Sequence, residues 1–293
     1  MKAPSGLIAA FLITLATLAP AWAVDGKIAL VAAENFYGNM AQQIGGDRVS
    51  VTSIMNNPDQ DPHLFEVSPG IIRQIAAAQI VVYNGADYDP WMERLLAVTP
   101  KPGRAVIVAA ELLNRKAGDN PHLWYDPSTM PAVAGALAAA FAAADPAHKD
   151  DYAARLKTVL ASLESLSGKI AALRGKFAGL PVTASEPVFG YMADALKLAV
   201  RNERFQLAIM NDTEPSARDL AAFEQDLKTH QVRVLFYNKQ AQNNIVRHLI
   251  DLARTSNVPV VGVTETAPPG LSYQDWMLMQ LDETQRALAG PSS

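Results

Sequence analysis

The chain has 293 residues, no cysteine, and 25 basic against 29 acidic side chains, for a formal net charge of −4. The missing cysteines exclude disulfides, thiolate metal sites and cysteine nucleophiles, and they remove the thiol on which a bacterial lipid anchor is built. No basic run interrupts the acidic balance, which argues against nucleic acid as a partner.

Residues 1–23 begin Met1-Lys2, run through an apolar stretch from Leu7 to Leu18 and end on the small-x-small pattern Ala21-Trp22-Ala23. This is the layout of a cleavable signal peptide, with an apolar run shorter than the roughly 20 residues a bilayer span needs. A mature chain starting near Val24 carries no later apolar segment of that length, so it is expected to be soluble outside the cytoplasm. With no lipid anchor, the periplasm of a bacterium with two membranes is the expected location, and a diffusing carrier there needs to be no more than a monomer.

After the signal, short β-branched runs at 28–33, 49–55, 80–84 and 105–110 alternate with helical or loop segments. An alanine-rich helix over 132–144 leads to 150–177, where Leu156, Leu160, Leu163, Leu166, Ile170 and Leu173 recur every three or four residues. That spacing predicts one long amphipathic helix, a stiff strut of roughly 40 Å. Further strand-like runs follow at 182–185, 205–210, 232–238 and 258–264, separated by helices over 217–229 and 245–255. The fold class is α/β: two lobes with parallel sheets flanked by helices, joined by one long rigid helix. The boundaries are an N-terminal metal-binding lobe at 24–145, the linking helix at 146–177 and a C-terminal metal-binding lobe at 178–293. About 270 mature residues suffice for two such cores.

Two of the five histidines sit in short polar segments directly after a proline, His63 in Asp61-Pro62-His63-Leu64 and His122 in Asn120-Pro121-His122-Leu123-Trp124. A preceding proline restricts the backbone and so helps aim the imidazole, which suits a metal ligand and is also compatible with an ordinary loop histidine. His148, His230 and His248 lie in charged contexts and read as solvated. Glu186 and Glu265 each follow a predicted strand, where ligands of doubly wound sheets gather. Glu186 also reads as a helix N-terminal acid between Ser185 and Pro187, and Glu265 equally as a solvated loop acid before Pro268-Pro269-Gly270. Together, His63, His122, Glu186 and Glu265 would offer two neutral nitrogens and two carboxylates, a donor set that cancels the charge of a divalent cation and favours zinc or manganese over calcium. Two-oxygen carboxylate binding suits manganese; one-oxygen binding suits tetrahedral zinc.

Several motifs span nearly the whole mature chain: Glu34-Asn35-Phe36-Tyr37, Asp61-Pro62-His63-Leu64-Phe65-Glu66 with Ser68-Pro69, Pro121-His122-Leu123-Trp124 with Asp126-Pro127, Glu214-Pro215-Ser216, and Val263-Thr264-Glu265-Thr266 with Ser272-Tyr273. Through these the chain resembles the zinc/manganese solute-binding proteins of bacterial ABC transporters. The resemblance implies two α/β lobes on one long helix, a metal ion as transported cargo in the cleft, and delivery to a membrane permease. His63 and His122 match the two first-lobe histidine ligands. Glu186 falls where the family has histidine or glutamate, the latter being the manganese-type variant, and Glu265 departs by one methylene from the usual aspartate. The segment 114–120 lacks the histidine cluster that many zinc members carry, so zinc and manganese stay equally open.

A metal-dependent hydrolase is a rival, but no His-Glu-x-x-His motif is present and four protein ligands leave a tetrahedral ion no vacancy. An organic-solute binder of the same architecture would instead line its cleft with aromatics such as Phe36, Trp91, Trp124 and Trp276.

Overall fold

The computed structural model describes residues 26–59 and 65–290. The signal peptide expected at 1–23, and His63 with its immediate neighbours, lie outside the described residues. Among the described residues no helix is long and apolar enough to cross a membrane.

The first half runs β1 (Ile28–Glu34), α1 (Asn35–Gly45), β2 (Val49–Met55), α2 (Pro69–Ala77), β3 (Ile80–Tyr83), α3 (Pro90–Val98), β4 (Ala105–Val108), α4 (Ala109–Leu112) and α5 (Thr129–Ala144). The strut is α6 (Lys149–Phe177), 29 residues and about 43 Å long at 1.5 Å per residue. The second half runs β5 (Pro181–Ala184), α7 (Gly190–Ala195), β6 (Ala199–Arg201), α8 (Glu203–Met210), α9 (Ala217–Lys228), β7 (Leu235–Asn238), α10 (Asn244–Thr255), β8 (Val260–Val263) and α11 (Tyr273–Ala289).

Each half builds a four-stranded, all-parallel sheet, in the orders β2-β1-β3-β4 and β6-β5-β7-β8. The two orders are the same permutation, although no internal repeat is visible in the sequence. In both, the chain reverses its direction of winding beside the first strand, so the crevice outside the carboxyl ends of β1 and β3, and of β5 and β7, is the natural place for a ligand. Residues leaving those strand ends therefore matter most: Glu34 and Asn84 in the first sheet, Glu186, Asn238 and Glu265 in the second.

Helix starts explain several motif residues without invoking chemistry at the site. Ser68 accepts from Ile71 N at 3.5 Å ahead of Pro69, Ser216 from Asp219 N at 3.1 Å and Ser272 from Asp275 N at 3.1 Å, each satisfying a backbone donor that the first helical turn leaves unpaired. Glu214 precedes the cap that Ser216 supplies.

Two readings of the second half change. Residues 205–210, expected as a strand, form most of α8: Phe205 and Ile209, four apart, face the small core of Phe223, Leu227 and Leu249, while Leu207 points outward at 47% exposure. That is a helical face rather than a strand's alternation. The edge strand β6 was not anticipated, because its three residues, exposed at both ends, carry no apolar run.

The two halves are joined by more than the strut. A chain of aromatic rings crosses between them: Phe36 to Trp124 at 5.0 Å, Phe36 to Trp276 at 5.9 Å, Trp276 to Tyr125 at 5.8 Å, Tyr125 to Phe189 at 5.2 Å and Phe189 to Phe236 at 4.7 Å. All six rings are buried in one continuous core. The four aromatics that an organic-solute cleft would have displayed, Phe36, Trp91, Trp124 and Trp276, are thus packing residues, at most 7% exposed.

Candidate metal centre

Three acid and imidazole side chains from distant parts of the chain converge between the sheets. One ligand atom from each of His122, Glu186 and Glu265 lies within 4.8 Å of the others. They are 0%, 3% and 0% exposed, so neither acid is a solvated loop residue; Glu186 stands at the N-cap of the short turn at Pro187–Phe189 and makes no side-chain cap bond to it. His122 Nε2 stands 3.6 Å from Glu265 Oε2. His148 and His248 instead pair with Asp145 and Glu224, and His230 is exposed.

His122 is held in one tautomer. Asn120 Oδ1 lies 2.6 Å from its Nδ1 and accepts from its backbone N at 3.1 Å, while Asn120 Nδ2 donates to Pro187 O at 2.8 Å. Those partners fix which end of the amide is oxygen, so Nδ1 must carry the proton. The lone pair is then on Nε2, which is buried and has no hydrogen-bond partner among the described residues. A buried nitrogen lone pair facing a carboxylate is an arrangement that a cation completes. The same Asn120 amide reaches across to the residue after Glu186, tying the histidine to the loop that carries the acid.

Gly190 makes this approach possible. A Cβ there would stand 2.8 Å from Asn120 Nδ2. Gly190→Ala is therefore expected to displace Asn120, release His122 from its orientation and weaken metal affinity about 10- to 100-fold, the usual scale for losing a partner behind a ligand. Isothermal titration with zinc on the two proteins checks it.

The acids are organised by β7. Asn238, its last residue, lies between the strand that precedes Glu186 and the strand that precedes Glu265, and its Nδ2 donates to Glu186 Oε2 at 2.9 Å and to Glu265 Oε1 at 2.6 Å. Gln240 Oε1 accepts from Glu265 N at 2.6 Å and Thr266 N at 3.3 Å. From the first half, the Asn35 side chain binds the Ala267 backbone like a strand partner, donating to its O at 2.8 Å and accepting from its N at 2.9 Å. Tyr125 OH donates to Thr264 O at 3.0 Å. The loop after β8 is thus gripped from both halves.

Sequence reasoning missed Asn238, Asn120, Gln240 and Tyr88. The signal available was a polar residue closing an apolar strand, as in Leu235-Phe236-Tyr237-Asn238. The Tyr88 ring packs 4.9 Å from Trp124 and 6.2 Å from His122. Its hydroxyl is buried beside Glu265 without a hydrogen bond of regular geometry, and burial, then the carboxylates of Glu265 and Glu34, hold it well above the ordinary tyrosine pKa.

Behind Tyr88 sits a second acid pair. Glu34 closes β1 with 0% exposure, and neither of its oxygens has a hydrogen bond of regular geometry among the described residues. Asp89, 1% exposed, accepts from Asn84 N and Gly85 N, both at 2.7 Å. Burial, then the charge of Asp89, pushes Glu34 well above the usual carboxyl range, and burial pushes Asp89 up to about 6 against the backbone donors that favour its charge. Burial and the facing charge of Asp89 together favour the neutral, protonated form of Glu34.

A family model described as the periplasmic component A of the zinc-uptake complex matches residues 30–287. The manganese ABC transporter substrate-binding lipoprotein PsaA of Streptococcus mitis is 24% identical over 287 residues, covering 90% of each chain. The iron ABC transporter substrate-binding lipoprotein MtsA of Streptococcus pyogenes serotype M1 is 23% identical over 291 residues, covering 91% of each. Among solved structures, the periplasmic zinc-binding protein TroA from Treponema pallidum superposes with a TM-score of 0.76 at 18% identity, covering 90% of this chain and 99% of that one. The same two-sheet fold recurs in a manganese-bound periplasmic protein from Candidatus Liberibacter asiaticus, at a TM-score of 0.71 and 17% identity over 88% of this chain and 98% of that one. With a family model matching from β1 to the last turns of α11, the chain belongs to the periplasmic zinc-uptake component A family of metal-binding proteins from ABC transporters.

Proposed function

We propose that this protein captures one divalent transition-metal ion, zinc or manganese, outside the cytoplasm and hands it to the membrane permease of an ABC importer. The ion is cargo. His122 Nε2, a carboxylate oxygen from each of Glu186 and Glu265, and His63 from the first half hold it. The observation that carries this reading is the meeting of an oriented imidazole lone pair with two buried carboxylates drawn from both halves of the molecule. Two negative charges and neutral imidazoles leave a bound dication with no net charge, which is the condition for burying it.

Similar proteins are named for zinc, manganese and iron, so the family supports a transition metal without choosing among them. Four protein ligands leave a tetrahedral ion no position for a reacting water, which favours carriage over hydrolysis. The burial of Phe36, Trp91, Trp124 and Trp276 removes the surface an organic solute would need. The relatives PsaA and MtsA are named as lipoproteins, whereas this chain contains no cysteine, so retention by an outer membrane, with the carrier diffusing as a monomer in the periplasm, fits its composition.

The test is elemental mass spectrometry on mature protein taken from a metal-replete periplasm, followed by competition between the two ions. One equivalent of zinc or manganese, lost in His122→Ala, is expected. Protein that carries no stoichiometric metal and takes up none when offered it overturns the reading.

A further inference from the structure

We propose that Asn238 sets the coordination number of the bound ion, making each glutamate a one-oxygen ligand and so favouring four-coordinate zinc over manganese. The inference rests on the metal-carrier reading above and deepens it.

The orientation of the Asn238 amide is determined by its surroundings. Its Oδ1 accepts from Gln240 N at 3.0 Å, and its own backbone N faces Ser185 Oγ at 3.3 Å. A flipped amide would point its oxygen at two carboxylates, so Nδ2 faces them and spends one hydrogen on each: Glu186 Oε2 and Glu265 Oε1. Asn238 is 1% exposed, so water does not compete for those hydrogens. The position is also rigid, because β7 is the inner strand between β5 and β8, and both acids are on segments leaving its neighbours.

A carboxylate oxygen that accepts a short N–H bond donates less electron density to a metal, and the bond fixes the plane of its carboxylate. Binding an ion through both oxygens requires the two to be nearly equidistant from it and draws on the oxygen that already accepts from Asn238, so each of these short bonds favours binding through the other oxygen. The other oxygen of Glu265, Oε2, is the one 3.6 Å from His122 Nε2, on the side where the ion would sit. One oxygen from each acid and His122 Nε2 make three donors, and the His63 that the carrier reading adds would make four. Four donors suit tetrahedral zinc, whereas manganese gains more from additional oxygens and a higher coordination number. The residue type at 186 alone, glutamate rather than histidine, points toward manganese; the amide behind it restrains that glutamate to the zinc-compatible mode.

Zinc binds most nitrogen and oxygen sites more tightly than manganese does, so the measure is the change in selectivity rather than the preference itself. The experiment compares the mature protein with Asn238→Ala in zinc and manganese competition titrations, and records the visible spectrum of each protein loaded with cobalt(II), whose bands are intense when four-coordinate and weak when six-coordinate. The native protein is expected to show four-coordinate cobalt. Asn238→Ala is expected to shift the spectrum toward higher coordination and to lower the zinc-over-manganese affinity ratio about tenfold or more, the scale on which partners behind metal ligands act. An unchanged ratio, including equal weakening of both ions, shows Asn238 to be merely structural and overturns the proposal. Five- or six-coordinate cobalt in the native protein overturns it without any variant, so a misfolded Asn238→Ala does not protect it. Failure of the native protein to bind any of the three ions overturns the carrier reading instead.

Discussion

Glu265→Gln is expected to remove most of the thermal stabilisation that a transition-metal ion confers, without lowering the unfolding midpoint of the metal-free protein. An ion present at about a thousandfold its dissociation constant stabilises the state that binds it by about 4 kcal/mol. For a chain of this size that is a rise of roughly 8–16 °C. The substitution keeps the shape of the side chain, and the amide oxygen still accepts from Asn238 Nδ2, which lies 2.6 Å from Oε1. Its new NH2 takes the place of Oε2, 3.6 Å from His122 Nε2, so that a shift of a few tenths of an ångström gives that lone pair a donor. The metal-free site therefore keeps its hydrogen bonds, while the charge that balances half of a dication is gone. A hundredfold loss of affinity would reduce the stabilisation to about 1.4 kcal/mol at the same ion concentration. Scanning fluorimetry with chelator and with added zinc reads both quantities. A full metal-induced shift in Glu265→Gln would remove Glu265 from the ligand set, and a collapse of the chelated midpoint would make its role structural.

Much of this architecture is legible in the sequence because each element carries its own local signal. The leucine spacing from Leu156 to Leu173 marks the strut, and the β-branched runs mark most strands of both sheets. His122 is legible from the proline before it, and the acids after β5 and β8 because short polar interruptions at the ends of apolar strands are where doubly wound sheets expose side chains to a ligand. What the sequence leaves open depends on tertiary order. Whether Glu265 is solvated or fully buried is decided by Asn35 and Gln240, more than 200 positions before it and 25 before it, closing on its loop. Asn238 matters only because β7 lies between β5 and β8, an order that no local pattern encodes. Residues 205–210 show the converse failure: an apolar hexamer with a helical face and an apolar strand look alike until the core they pack on is known. Gly190 is silent in sequence, and its meaning is the absence of a Cβ beside Asn120.

The buried pair behind the site leads to a stability effect of unusual sign. Most native carboxyls are held below their unfolded pKa and strengthen the fold as pH rises; Glu34 and Asp89 are both held above it. Between the unfolded value, about 4, and the raised folded values, the folded protein binds more protons than the unfolded chain, so stability from this pair falls as pH rises through that window and is lowest above it. For Asp89 the window runs from 3.8 to about 6, a difference of about 3 kcal/mol at about 1.4 kcal/mol per pKa unit. The groups that face the pair do not reverse this: Tyr37, Tyr83 and Tyr88 are buried or half-buried phenols raised by the same burial and by these carboxylates, and Glu265 adds negative charge beyond Tyr88. Glu34→Gln replaces the acid with a neutral side chain that can donate to Asp89 without having to retain a proton. Metal-free Glu34→Gln is therefore expected to exceed the native protein in stability at about pH 8 by roughly 1–3 kcal/mol, with the difference shrinking toward about pH 5, where Glu34 keeps its proton at least cost. Urea unfolding in chelator across that range measures it. A variant less stable than the native protein at about pH 8 would show Glu34 to be ionised and matched by positive charge, and the proton would then belong elsewhere in the pair.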